Sequence, residues 1–129
     1  MNEDRTSPSS QSGSASSSLG VGDETSLTSS APSGTRYLVN VSRQAESTVT
    51  ARFIGLEGYQ ASDVEHVDGL LLAVLRLSFG SPAVQFIRLL GDGPAAQKLW
   101  NGLGDVQVMS NVVECRVTRS RYKELGGSL

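Results

Sequence analysis

Residues 62–90 have the sequence SDVEHVDGLLLAVLRLSFGSPAVQFIRLL and form the most apolar part of the 129-residue chain. The first half predicts an amphipathic helix, because its apolar residues recur with a helical period. They share one broad arc at 100° per residue and are Val64, Val67, Leu70, Leu71, Val74, Leu75 and Leu77. Ser62 and Glu65 have the spacing of a capping box at the start of this helix. Gly80 suits its end, because glycine adopts the left-handed conformation that terminates helices.

The second half of the stretch predicts another helix. Ser81 would cap it, and Pro82 would occupy its first position, where the missing N–H costs nothing. Apolar residues then recur at i, i+3, i+4 and i+7, and these are Ala83, Phe86, Ile87 and Leu90. We therefore expect a helix pair over 62–90 that buries its apolar faces against a sheet.

The same stretch is too short and too charged to span a membrane. Its longest uninterrupted apolar run is Leu70–Leu75, whereas a bilayer needs about 20 residues. The N-terminus lacks the order of a signal peptide, and Cys115 is the single cysteine, so a disulfide framework is excluded. An intracellular protein, cytoplasmic or nuclear and not secreted, is the expectation.

The first 35 residues differ from the rest in composition. They contain 12 Ser and 4 Thr, with Leu19, Val21 and Leu27 as the only aliphatic residues larger than alanine. Such a segment buries too little apolar area to offset its chain entropy. We therefore predict a disordered Ser/Thr/Gly-rich tail over 1–35 and one domain over 36–129.

Strand patterns flank the apolar stretch on both sides. Residues 36–42 and 48–56 alternate between apolar and polar side chains and predict a β-hairpin. A third short helix is expected near 94–103, and strands are expected over 106–109 and 113–123. The predicted fold is therefore α+β, with the order ββ–ααα–ββ, a small antiparallel sheet and a helical layer on one of its faces.

The end of the last predicted strand carries a cluster of positive charges. We call it the basic prong, and its residues are Arg116, Arg119, Arg121, Tyr122 and Lys123. Arginine forks grip phosphates, and a tyrosine between them can stack on a base. The alternatives are that these charges only protect an edge strand from aggregation, that they only solvate the C-terminus, or that they contact an acidic protein partner.

A catalytic constellation is hard to assemble from this sequence. His66 and Cys115 are the only histidine and cysteine, and they could form a nucleophile–base pair with Asp63 or Asp68 as the orienting group. We expect Cys115 to be an inert packing residue instead, because it lies where a strand should face the core. No cofactor and no metal site are expected, since one His and one Cys leave only carboxylates to complete a metal site.

These observations favour a small, non-enzymatic regulatory or binding protein. We expect it to form a homodimer through its apolar helix pair and to bind RNA or DNA, with RNA weakly favoured, through the basic prong. The alternatives are a protein–protein interaction module that uses the 62–90 helix pair and, more remotely, a small Cys/His enzyme. The general makeup is similar to that of small viral accessory proteins such as silencing suppressors, but only as an analogy between classes, without a shared motif.

Overall fold

A computed structural model of the chain describes residues 19–126. This part contains six strands and three helices. The strands are β1 (Glu24–Ser30), β2 (Arg36–Ala45), β3 (Thr48–Ile54), β4 (Phe86–Asp92), β5 (Asp105–Met109) and β6 (Val112–Thr118). The helices are α1 (Val64–Phe79), α2 (Gly93–Trp100) and α3 (Arg119–Glu124). None of the helices in this part of the chain is long and apolar enough to cross a membrane.

The six strands form one mixed sheet in the order β1-β2-β3-β4-β6-β5. Every neighbouring pair is antiparallel except β3 and β4, which run parallel and are connected through α1. A parallel pair needs such a crossover, because the chain must return to the end of the sheet where the first strand began. The expected α+β class is confirmed.

The two faces of the sheet have different environments. Alternate residues of the central strands are fully covered by the helices, as Val39, Ala51 and Leu89 show with 0% exposure. Trp100 of α2 anchors this layer, and its ring lies 5.4 Å from that of Phe53 in an edge-on arrangement. The intervening residues of each strand point to the opposite side. No helix of residues 19–126 packs on this side, which we call the open face.

Helix α1 forms where the sequence predicted a helix, and part of its apolar arc is buried within the chain's own core, whereas Val64 is 40% exposed. Val67, Leu70, Val74 and Leu75 are all at most 6% exposed. Leu71 and Leu77 pack only partly against this core, so some apolar surface of α1 stays exposed, and the expected dimer stays a prediction.

The prediction of a second helix over 81–90 is wrong. Phe86–Asp92 is the central strand β4, bonded on one side to β3 and on the other to β6. A short apolar run flanked by Pro82 and Gly91 has no unique periodicity, so helix and buried strand are equally compatible with it. Pairing with β3 and β6 gives the backbone groups of this strand hydrogen-bond partners on both edges, and this decides the outcome.

Part of the predicted tail is also a strand. Glu24–Ser30 forms β1 at the edge of the sheet, paired with β2 from Glu24↔Ser42 to Ser30↔Arg36. The chain before it is fixed by the buried Arg43, whose guanidinium donates to the carbonyl oxygen of Leu19 at 2.7 Å. The composition of β1 hid it, because Ser and Thr fill both of its faces. The remainder of the tail prediction, over 1–18, lies outside the described residues.

The last predicted strand ends earlier than expected. β6 stops at Thr118, whose side-chain oxygen accepts a hydrogen bond from the backbone N–H of Arg121 at 3.1 Å. Threonine in this position is a helix N-cap, and the chain continues as α3. The order is therefore βββ–α–β–α–ββ–α in a mixed sheet, instead of ββ–ααα–ββ in an antiparallel one.

Candidate binding face on the open side of the sheet

Beyond Arg116, the residues of the basic prong do not continue the last strand as the sequence predicted. Arg119 instead makes contacts that stabilise the fold. Its guanidinium donates to three backbone carbonyls in the segment after α1, with the shortest bonds to Ser81 (2.6 Å) and Val84 (2.9 Å). It also lies 5.1 Å from the centre of the Phe79 ring. Arg119 therefore joins the end of β6 to the connection between α1 and β4.

The other prong residues also point in different directions. Arg121 donates to the carbonyl oxygens of Gly102 and Leu103 and pairs with Glu124. Tyr122 is 8% exposed, and its ring stacks on that of Phe79 at 4.9 Å. Lys123 is exposed. Arg116 and Arg121 nevertheless line one depression of about 380 Å³, and a binding role for the prong residues stays a prediction.

Arg116 is the prong residue that lies on the open face. Its side chain is 51% exposed, and its guanidinium lies 4.6 Å from the centre of the Phe86 ring on the neighbouring strand. Its cross-strand partner in the β4–β6 ladder is Arg88. Two arginines are therefore directly opposite each other in the middle of the sheet.

Arg52 on β3 completes what we call the open-face arginine cluster (Arg52, Arg88 and Arg116). Arg52 is aligned with Leu90 of β4, two residues beyond Arg88, which corresponds to a diagonal spacing of roughly 7–8 Å between the two arginines. Arg52 is exposed, and no acidic side chain of residues 19–126 forms an ion pair with it.

A shallow depression of about 580 Å³ begins beside Arg52. Its lining is rich in small hydrogen-bonding side chains from β1, β2 and β3, including Ser26, Asn40, Ser42 and Thr50. The floor is closed by Leu90. This part of the open face offers hydroxyl and amide groups next to the Arg52 guanidinium, together with the carboxylate of Glu24.

Two carboxylates lie beside the three arginines. Asp105 of β5 is aligned with Arg116. Glu114, which is 8% exposed, approaches Arg88 at 3.1 Å and Arg116 at 4.0 Å. Two like charges directly opposite on neighbouring strands destabilise a sheet, and the two carboxylates leave one of the three arginine charges uncompensated. The arrangement therefore retains excess positive charge at the centre of the open face, at a cost in stability.

The nucleophile–base pair considered from the sequence is not assembled. His66 contacts Ser29 of β1, with 3.3 Å between Nδ1 and Oγ, whereas Cys115 lies on β6 with 0% exposure. β1 and β6 are four strand spacings apart, or about 19 Å. Burial, with the nearby Asp105 and Glu114 carboxylates, raises the pKa of the Cys115 thiol to about 11. The thiol is therefore protonated at neutral pH.

The other strong electrostatic feature lies on the helical side, at Asp63. Its carboxylate is 0% exposed and accepts hydrogen bonds from the hydroxyls of Tyr37 and Ser33, both at 2.7 Å. Burial pushes its pKa up, but the hydrogen bonds from Tyr37 and Ser33 together outweigh burial, and the pKa is lowered. Burial and the bond to Asp63 raise the pKa of Tyr37 to about 12. The network ties β2 to the start of α1 and has a structural role.

Metal chemistry has no evident place in the described part of the chain. Residues 19–126 contain no group of three or more His, Cys, Asp or Glu side chains arranged to hold a metal ion.

Comparison of the chain with protein-family models, with curated proteins and with solved structures finds no match. The open face must therefore be interpreted from its own geometry.

Two members of the arginine cluster were missed in the sequence. Arg52 was assigned only to the polar side of a hairpin strand, and Arg88 to a helix that does not form. The alternation of Phe86, Arg88 and Leu90 with Ile87 and Leu89 is the sequence feature that could have indicated a strand with Arg88 on its less buried side.

Proposed function

We propose that the protein is a non-enzymatic binding protein whose open-face arginine cluster holds single-stranded nucleic acid, with RNA favoured over DNA. The observation that carries this proposal is the placement of Arg88 directly opposite Arg116, with Arg52 on the diagonal, on a face that no helix of the described residues covers. Sites that cost stability without a structural benefit are where function is expected.

The geometry of Arg116 supports a single-stranded ligand over a duplex. Its guanidinium is held in place on the Phe86 ring, so that its outer plane is available for a flat partner. Unpaired bases stack on aromatic rings and on arginine planes, and a sheet surface is a common platform for this. Bases inside a duplex are already stacked on one another and cannot do so.

The depression beside Arg52 supports the preference for RNA. A ribose differs from a deoxyribose by its 2′-hydroxyl, which both donates and accepts hydrogen bonds. The hydroxyls of Ser42 and Thr50 and the amide of Asn40 line the depression within the same part of the open face. These groups can bond a sugar next to a phosphate that is held by Arg52.

The proposal is tested by fluorescence anisotropy of the full chain with a labelled single-stranded RNA, the matching DNA and an RNA duplex, each titrated with salt. Three phosphate contacts predict a slope of log K against log salt of about −2 for single strands. Arg52→Gln removes one contact and should reduce this slope by about 0.7. Arg52 is the best position to change, because no ion pair in residues 19–126 depends on it.

Lys98→Gln is the matched control, since Lys98 is an exposed cation on α2, on the other side of the sheet. It should leave both the affinity and the salt slope unchanged. Equal losses in Arg52→Gln and Lys98→Gln would indicate non-specific attraction and contradict the proposal. Failure to bind any nucleic acid at low salt would also reject it, and an acidic protein segment would then be the remaining class of ligand for this face.

A further inference from the structure

The sheet ends in two strand edges that have no partner in the described residues, and these edges differ in chemistry. β1 exposes mainly Ser and Thr, whereas β5 ends in Val108 and Met109, which are 54% and 48% exposed. Natural edge strands are usually protected by charges, proline or bulges, because an unpaired edge is a template for pairing with another chain. The end of β5 lacks such protection.

We propose that β5 pairs with β5 of a second copy of this chain, antiparallel and centred on Gln107, to form a continuous twelve-stranded sheet. A two-fold axis at Gln107 brings all five residues of each β5 into the new ladder. It places Val106 opposite the partner's Val108 and Asp105 opposite the partner's Met109.

The backbone of β5 is compatible with this register. Along an edge strand, alternate residues direct their N–H and C=O groups outward. An axis that passes through Gln107 pairs each residue with one of the same parity, such as 105 with 109 and 106 with 108. The residues whose N–H and C=O groups point outward therefore lie opposite the corresponding residues of the partner. Hydrogen bonds can then form between the two strands.

The side chains favour a copy of this chain as the occupant. Val106 and Val108 lie on the helical side of the sheet, aligned with Cys115 and Val113 of β6, so that the pairing joins four valines across the axis and covers the exposed Val108. On the open face, Gln107 meets the partner's Gln107, and amide side chains can bond to each other. No like charges face each other across the axis, because Asp105, the only charged residue of β5, lies opposite Met109.

A positive charge on the neighbouring strand β6 also favours the pairing of the two β5 strands. Asp105 is aligned with Arg116 of β6 within its own chain, so its carboxylate lies beside a cation and does not repel the incoming strand. A two-fold axis normal to the sheet keeps both open faces on the same side. The dimer would therefore present two open-face arginine clusters on one surface, although the pairing itself does not depend on nucleic-acid binding.

The contact is small, and the expected dimer is weak. Two five-residue strands bury less than the ~800 Å² per partner of a standard interface. We therefore expect a dissociation constant on the order of 100 µM. Sedimentation equilibrium of the full chain from about 1 µM to about 1 mM should show the mass rising from monomer to dimer.

Val108→Lys tests the edge directly, because Val108 is 54% exposed and the substitution leaves the core of the monomer intact. It should keep the chain monomeric up to the highest concentration. The control is Thr28→Lys, which adds the same charge at an exposed position of β1, on the other edge of the sheet. It should dimerise like the wild type. Dimerisation that persists in Val108→Lys, or a wild type that stays monomeric throughout, would overturn the proposal.

A covalent test examines the register. Gln107→Cys places two thiols across the axis, with Cβ atoms about 4.5–5.5 Å apart, close to the distance that a disulfide spans. Mild oxidation should trap a dimer, while the native Cys115, which is 0% exposed, does not compete. Ser26→Cys on β1 is the control and should stay monomeric. Equal cross-linking of both variants would exclude the proposed axis, whether or not the protein binds nucleic acid.

Discussion

At the scale of single residues, Asp63 shows how burial and hydrogen bonding set the protonation state of a carboxylate. Asp63 is fully buried, and it stays ionised because the hydroxyls of Tyr37 and Ser33 donate to it. The pKa of Asp63 is lowered in the fold relative to the unfolded chain, where aspartate titrates near pH 3.9. A lowered folded-state pKa stabilises the fold above the unfolded value, and this stabilisation is lost as pH falls through the folded pKa.

We expect Asp63→Asn to remove this pH-linked component. The wild type should lose stability more steeply than the variant as the pH falls below about 4. Urea unfolding of both proteins at pH 7, 5 and 3 measures the contribution of Asp63 to the free energy of unfolding. The other carboxylates contribute equally to both proteins and cancel when the two free energies are subtracted. Parallel losses of stability in the two proteins would show that the Asp63 carboxylate has the same pKa folded and unfolded.

At the scale of elements, the packing of α2 on β4 leaves no room at the crossing point. A Cβ added at Gly91 would lie 2.8 Å from the Trp100 ring, 2.9 Å from Leu56 and 3.2 Å from Ala96. All three neighbours are buried, at 1% exposure or less. Gly91 therefore allows Trp100 to lie directly on the strand.

Gly91→Ala should destabilise the protein by about 1–3 kcal/mol, because overpacking forces the neighbouring side chains and backbone to shift. Gly69→Ala is the matched control. Gly69 lies on the exposed side of α1, where an added Cβ meets nothing within 4 Å, and alanine there should stabilise the helix by about 1 kcal/mol. Chemical denaturation of both variants measures the two opposite shifts, and a destabilisation below 0.5 kcal/mol in Gly91→Ala would mean that the crossing is looser than described.

At the scale of the whole molecule, the Ser-rich region before Arg36 belongs in part to the sheet. Leu19 and Ala31 are both buried, β1 covers the outer edge of β2, and Ser33 is a donor to Asp63. Removal of these residues would leave the buried Arg43 without the carbonyl of Leu19.

A chain that begins at Arg36 should therefore be less stable than the full chain by roughly 3 kcal/mol or more, from lost apolar burial and from unsatisfied polar groups. Thermal or urea unfolding measures the difference. A chain that begins at Leu19 keeps every contact described here and is the control with which the chain that begins at Arg36 is compared. Equal stability of all three chains would show that β1 contributes nothing to the fold.

The sequence by itself determined the features that rest on local periodicity. The α+β class, the hairpin formed by β2 and β3, the helix α1 and the burial of Cys115 all follow from periods of 2 and 3.6 within single segments. These patterns are properties of consecutive residues, and distant parts of the chain do not alter them.

Only the tertiary structure decided which segments complete the sheet and which arginines meet. β1 is too polar to be assigned by pattern, and the apolar run of β4 fits a helix as well as a strand. Each is a strand because neighbours distant in sequence pair with its backbone groups. Arg52, Arg88 and Arg116 come from three separate strands. The parallel pairing of β3 with β4, which depends on the α1 crossover, sets their register, and no local pattern contains that information.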